Sequence, residues 1–141
     1  MTTEELDDLL RNSGLKATPR RRRVAEYLLA AGSARTPEEV WQHLRRRNRV
    51  LGLPTAYRIL EELAGIGLLT RVDLADRNLR YAACGAHAAG HHHHIICTNC
   101  GSVGVIPTCA FNRQVRSIEQ ATGFSITSHR LHVEGLCPNC R

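Results

Sequence analysis

Two Cys-x-x-Cys pairs, Cys97-Thr98-Asn99-Cys100 and Cys137-Pro138-Asn139-Cys140, stand 36 residues apart in this chain. Gly101 behind the first pair and Pro138 inside the second permit the tight turns that aim both sulfurs at one ion. Together the pairs supply four thiolates, and zinc favours a closed tetrahedron of four soft ligands. A thioredoxin-like redox pair would sit between a strand and a helix of a parallel α/β unit, and no such pattern surrounds either pair. The spacing therefore predicts a structural zinc site of Cys97, Cys100, Cys137 and Cys140.

A second constellation lies just upstream: Cys84, the run His91-His92-His93-His94, and Cys97. The run is internal and flows into Ile95-Ile96, which predicts a strand with alternate side chains pointing opposite ways. His92 and His94 then face one side and His91 and His93 the other, so the run can furnish two separate sites or be an ordinary polar surface. Cys84 could join His92 and His94. A mixed thiolate and imidazole set suits zinc, whereas nitrogen and oxygen donors alone suit iron or manganese better. Cys109, taken alone, reads as a small buried residue.

These ligands must be positioned by elements, and the composition divides the chain in two. Of 141 residues, 19 are basic and 13 acidic, a formal net charge of +6, and every basic residue except Lys16 is an arginine. Residues 1–83 hold most of the charge and only one histidine, His43; all six cysteines and the other seven histidines follow. The expected organisation is a DNA-binding domain over 1–83, a hinge over 84–90 and a metal-binding domain over 91–141. No apolar run approaches the ~18 residues that would span a bilayer. The start, MTTEELDDLL, lacks the basic and apolar segments of a secretory signal. The expectation is a cytoplasmic protein with no membrane segment, in which thiols stay reduced and paired cysteines read as metal ligands before disulfides.

In the first half, residues 3–12 read as a short helix. Thr18-Pro19 and Thr36-Pro37 each pair an N-cap with proline at the first helical position, and Gly32 ends the helix between them. A fourth helix runs from about Pro54 to Ala64, with Ala56, Ile59, Leu60 and Leu63 on one face and Tyr57, Arg58 and Glu61 on the other. Two β-like runs, Leu68–Asp73 and Leu79–Ala82, follow as a hairpin. Helices capped by a hairpin in a basic half predict a winged helix-turn-helix. Its fourth helix would enter the major groove, with Tyr57 on sugar or thymine methyl and Arg58 on phosphate or a guanine edge. Lys16 and Arg20–Arg23 would meet the backbone or a narrow minor groove.

Taken together, Leu15-Lys16-Ala17-Thr18-Pro19-Arg20, Gly52-Leu53-Pro54-Thr55-Ala56-Tyr57-Arg58, the His91–Cys100 segment and His129-Arg130-Leu131 ahead of Gly135-Leu136-Cys137 resemble the ferric uptake regulator (Fur) family of metal-responsive repressors. The resemblance spans essentially the whole chain. It implies an α+β protein: an N-terminal winged helix and a small C-terminal α/β dimerisation domain with a four-cysteine zinc site. It further implies a homodimer that binds AT-rich palindromic promoter DNA in a metal-dependent way, with Lys16, Arg20, Thr55, Tyr57 and Arg58 as the DNA-contacting set.

Iron-sensing members place a histidine ahead of the third helix and a glutamate in the second wing strand; Arg35 and Ala82 hold those places here. Zinc uptake regulators carry a cysteine shortly after the wing's Arg-Tyr, and Arg80-Tyr81 followed by Cys84 fits that pattern. The resemblance thus implies a regulatory zinc site of Cys84, His92 and His94, with Asp73 as fourth ligand and Thr70 or Asp76 as alternatives at that place. The family's additional site falls on His91, His93 and His129, with Asn112 at the glutamate position and Cys109 as a possible substitute. The implied function is repression of zinc-uptake genes when zinc is replete; the alternative is an iron, manganese, nickel or peroxide sensor on the same scaffold.

Catalysis is not expected. His132-Val133-Glu134 ahead of Cys137-Pro138-Asn139-Cys140 resembles the deaminase pattern only superficially, since the proline sits on the wrong side of the first cysteine. A closed four-cysteine site also leaves no open coordination position. No small-molecule substrate is implied.

Overall fold

The computed structural model describes residues 1–46, 51–73, 78–84, 92–129 and 131–141, and the side chains of Asp73 and His132 lie outside that description. Four helices come first: α1 (Thr3–Asn12), α2 (Pro19–Ala31), α3 (Pro37–Arg45) and α4 (Leu53–Gly65). Their starts follow from the threonines. Thr2 and Thr36 form capping boxes with Glu5 and Glu39, and the Thr18 hydroxyl accepts from the Arg21 amide. Each satisfies amides that the first helical turn leaves without partners. Gly32 ends α2 at φ 64°, a left-handed conformation that glycine adopts without steric cost.

The helices converge through the stripes read from the sequence. Leu6 and Leu10 of α1, Val24, Ala25 and Leu28 of α2, Val40 and Leu44 of α3, and Ala56, Ile59, Leu60 and Leu63 of α4 form one buried cluster with Leu68, Leu69 and Tyr81. Trp41 closes its edge by donating its indole N–H to the Leu51 carbonyl at 2.9 Å. Strands β1 (Leu69–Asp73) and β2 (Leu79–Ala83) pair antiparallel as the wing, with Thr70 opposite Ala82 and Asp73 opposite Leu79.

The second half is a three-stranded sheet of order β4-β3-β5 with α5 (Asn112–Thr122) in the connection. Central β3 (His93–Cys97) pairs antiparallel with β4 (Val103–Ile106) and parallel with β5 (His132–Gly135). The parallel pairing needs the long crossover that α5 supplies.

The two halves are joined by main chain as well as side chains. Ser33, Ala34 and Arg35, between α2 and α3, run alongside both sheets. Arg35 and Tyr81 exchange two backbone hydrogen bonds of 2.8 Å on the wing side, and the Ala34 amide donates to the Gly101 carbonyl at 2.8 Å on the other. Ala34, Val72, Ala82 and Ile96 pack into a small buried cluster at this joint, with Val103 against it.

Candidate functional site

The four-cysteine cluster is a product of strand pairing. β3 ends at Cys97 in register with Gly135 of β5, and the Thr98 amide donates to the Gly135 carbonyl at 2.9 Å. The two knuckles therefore leave neighbouring strands side by side. Gly101, at φ 72°, lets the first knuckle turn so that its amide bonds the Cys97 carbonyl at 2.9 Å. All four sulfurs lie within 4.8 Å of one another, and none of the cysteines is in a disulfide.

Electrostatics at this cluster favour a cation. Backbone amides of Cys100 and Cys137 stabilise the Cys97 thiolate and bring its pKa down to about 6; the Cys137 amide lies 3.4 Å from that sulfur. At Cys140 the Asn99 side chain pulls downward, but the crowd of Cys137, Cys100 and Cys97 sulfurs outweighs it and pushes that thiol up to about 12. Four sulfurs this close cannot all ionise without a positive charge among them. The donor set and spacing fit zinc.

The second cluster joins the two halves of the chain. Cys84 follows β2 and is anchored by its amide on the Leu68 carbonyl at 3.0 Å. Its Sγ lies 3.0 Å from His92 Nε2 and 3.7 Å from His94 Nε2. The two imidazoles stand edge to face, 4.9 Å between centroids. Burial, then the neighbouring His92 and His93, lowers the His94 pKa and keeps that ring neutral, the form that binds metals. Thr70 Oγ1 of β1 lies 3.3 Å from His94 Nδ1, on the side of the ring away from Cys84. Of the residues named for the fourth corner, Asp73 occupies the register position opposite Leu79, three residues along β1 from Thr70. Asp76 lies outside the described residues.

Strand alternation sends His93 the other way, as the sequence predicts. There it meets His129, and Cys109 completes a third cluster. His91 lies outside the described residues, and exposed Asn112 opens α5, its amide on the Cys109 carbonyl at 3.3 Å. Arg35 and Ala82, which the resemblance sets at the places of iron-sensing ligands, take part in the joint: Arg35 bridges to Tyr81 through the backbone, and Ala82 is buried there.

The expected DNA-reading face is a surface of α2 and α4. Tyr57, Arg58, Lys16 and Arg20 are exposed, and Thr55 is half-buried in the first turn of α4. The arginine cluster is split by use. Arg21 pairs with Glu62 at 2.9 Å and Arg22 with Asp7, so these two brace helices instead of facing outward, while Arg20 and Arg23 remain exposed. The Tyr57 hydroxyl donates to Glu38 Oε1 at 2.6 Å, a contact the sequence reading did not contain. That bond holds the Glu38 carboxyl below the usual carboxylate range and raises the Tyr57 phenol. Tyr81, beneath α4, donates its hydroxyl to Glu61, which also pairs with Arg71 at 3.2 Å. This chain of contacts ties the outer face of α4 to the wing.

Comparisons with known proteins agree with this architecture. The sequence model of the Ferric uptake regulator family matches residues 12–134. The Ferric uptake regulation protein of Synechococcus elongatus is 29% identical, over 99% of this chain and 95% of that protein. The Peroxide-responsive repressor PerR of Staphylococcus saprophyticus is 26% identical, over 94% and 86% of the two chains. Among solved structures, a zinc uptake regulator complexed with zinc and DNA superposes at a TM-score of 0.80 with 22% identity, covering 99% of this chain and 95% of that one. With the family's sequence pattern running through the winged helix and nearly all of the metal-binding half, this chain belongs to the ferric uptake regulator family of metal-responsive transcriptional regulators.

Proposed function

We propose that this chain is a zinc-responsive repressor that binds AT-rich palindromic promoter DNA as a homodimer and silences zinc-uptake genes in the zinc-replete cytoplasm. The observation that carries the reading is the Cys84–His92–His94 cluster. It mixes one thiolate with two imidazoles, a zinc-like donor set, where an iron or manganese site would be built from nitrogen and oxygen. Cys97, Cys100, Cys137 and Cys140 hold the structural zinc, and Asp73 is the proposed fourth regulatory ligand.

The placement of the ligands suggests the mechanism. Cys84 leaves the wing strand β2, whereas His92 immediately precedes β3 and His94 lies within it. A bound cation supplies a cross-link among these donors. Cys84 then holds the end of the wing against β3; of the proposed hinge over 84–90, residues 85–90 lie outside the described residues. In a dimer this sets the angle between two reading heads and hence their fit to two half-sites. A coupling of ~1–3 kcal/mol, a ~5–150-fold change in affinity, is the usual scale of such an effect. Lys16, Arg20, Thr55, Tyr57 and Arg58 would make the DNA contacts. Exposed Ile95, Val105, Leu131 and Leu136 on and beside the second sheet suit a subunit interface.

The test is DNA affinity by fluorescence anisotropy at fixed salt on the protein's own upstream region and on uptake-gene promoters, titrating buffered zinc and, separately, anaerobic Fe(II) and Mn(II). Zinc is expected to switch binding on, and Cys84→Ser to abolish the switch. Activation by iron or manganese, with no zinc response beyond the structural ion, would transfer the protein to the iron-, manganese-, nickel- or peroxide-sensing branch.

A further inference from the structure

The third cluster has a different chemistry from the one the resemblance implies. The implied set is imidazole plus carboxylate, with the carboxylate position occupied here by Asn112. The corner of the cluster is instead filled from the loop before α5, by Cys109. Its Sγ lies 3.1 Å from His93 Nε2 and 3.1 Å from His129 Nε2, and the two nitrogens are 3.1 Å apart. His93 and Cys109 are 6% and 7% exposed, and the Phe111 ring lies 4.7 Å from that of His129. Three donor atoms thus converge on one sheltered point.

The triangle has the right size for a transition-metal ion. With 3.1 Å sides, each corner is about 1.8 Å from the centre, so an ion about 1 Å above the plane reaches both nitrogens at the ~2.0–2.1 Å of a Zn–N bond. The longer Zn–S bond of ~2.3 Å is met if the sulfur draws back by a few tenths of an ångström.

We propose that His93, Cys109 and His129 form a thiolate-containing metal site, with Cys109 as its anionic ligand and a soft divalent cation of the zinc class as its occupant. Binding releases the thiol proton to solvent, and the two imidazoles bind neutral through Nε2. The N₂S set disfavours the oxygen-preferring ions that a carboxylate in this corner would admit. The proposal stands on this geometry alone and does not depend on the regulatory role of Cys84.

Co(II) can replace zinc and reports thiolate ligation through a sulfur-to-metal charge-transfer band in the near ultraviolet. The full chain, with its four-cysteine site kept zinc-loaded, is titrated with Co(II). Wild-type protein is expected to take up two equivalents, each adding thiolate absorption. Cys84→Ser retains one equivalent with a thiolate band, and the added Cys109→Ser removes that band. Cys109→Ser alone retains the equivalent that belongs to Cys84, which separates failure of this proposal from failure of the regulatory assignment. A Cys84→Ser protein that binds no Co(II), or binds it without thiolate absorption, overturns the proposal. So does a thiolate band that persists in the double variant. The measurement on wild-type and Cys84→Ser protein leaves the Cys109 position intact, so a folding defect from its substitution cannot decide the result.

Discussion

Thr70 of the wing and His94 of the second sheet meet on one side of the His94 imidazole, Oγ1 to Nδ1 at 3.3 Å, while the opposite ring nitrogen lies 3.7 Å from Cys84 Sγ, its proposed partner at a metal. The tautomer that binds a cation through Nε2 carries its proton on Nδ1, and that N–H donates to the Thr70 hydroxyl. Thr70 is thus placed to orient the ligand, although the sequence admitted it as a possible ligand itself. Thr70→Val, which keeps the shape and removes the acceptor, is expected to weaken zinc at the Cys84 cluster by ~10–100-fold, the usual effect of losing such a partner. Competition with a chromophoric chelator measures this, and the affinity of the four-cysteine site should not move.

The Glu38–Tyr57 bond places a carboxylate beside a residue expected to face DNA. Glu38→Gln removes a negative charge from that surface and releases the phenol from a charged acceptor. DNA affinity is expected to rise by several-fold, with less gain at high salt, where charge repulsion is screened. An affinity equal to wild type at both salts would mean that this edge of α4 stays clear of the duplex.

The same bond has a pH signature. Tyr57 lowers the Glu38 pKa in the folded state below its ordinary value. A carboxyl with a depressed folded pKa stabilises the fold above its unfolded pKa, and that contribution is lost as pH falls through the folded value. The Tyr57 contact should therefore persist into the mildly acidic range where exposed glutamates protonate. Carboxyl-carbon NMR should find Glu38 titrating below the ordinary glutamate value, and Tyr57→Phe should bring it back up.

Two arginines of the basic half should behave oppositely. Arg58→Ala is expected to weaken DNA binding by about 1–3 kcal/mol if it reads a base, or to reduce the salt slope by about one if it contacts phosphate, with little change in melting temperature. Arg21→Ala strands Glu62, its partner at 2.9 Å, and should lower stability by about 1 kcal/mol while leaving the salt slope alone. Thermal melts and salt-dependent anisotropy on both variants separate bracing from reading.

Stripping the ion proposed for the four-cysteine site should act on one half of the molecule. The knuckles hold β3 and β5 in register, whereas α1 to α4 have their own buried cluster. A strong chelator under reducing conditions is expected to abolish amide protection around Ile96 and Val133 while helical circular dichroism is largely retained. Simultaneous loss of both signals would mean that the reading head cannot stand without the metal-binding sheet.

The helices were legible because their signals are local. Thr-Pro pairs, glycine stops and a 3.6-residue apolar period lie within each segment, and the bounds of α1 and α2 are those read from the residues. Leu53 and Gly65 extend α4 by one residue at each end. The split of the histidine run between two sites was equally legible, since alternation along a strand is a property of the strand alone. What stayed hidden depends on distant partners. Ser33-Ala34-Arg35 carries no periodicity, because its bonds go to Gly101, Ser102 and Tyr81. Arg21 and Arg22 looked like their neighbours until Glu62 and Asp7 were brought to them. Cys109 could be read only as a small buried residue or a possible substitute donor, since the fold of β3 and the loops flanking α5 decides its company.

The joint at Ala34 and Arg35 is made from amides and carbonyls that every residue except proline can supply. Alanine at Arg35 or Tyr81 would leave these bonds in place, because no side chain carries them. Proline at position 34, which deletes the donor to Gly101, or an amide-to-ester replacement there, would expose it. It also means that the side chains around the Cys84 cluster and on the outer face of α4 can change while this joint between the two halves keeps its mechanical continuity.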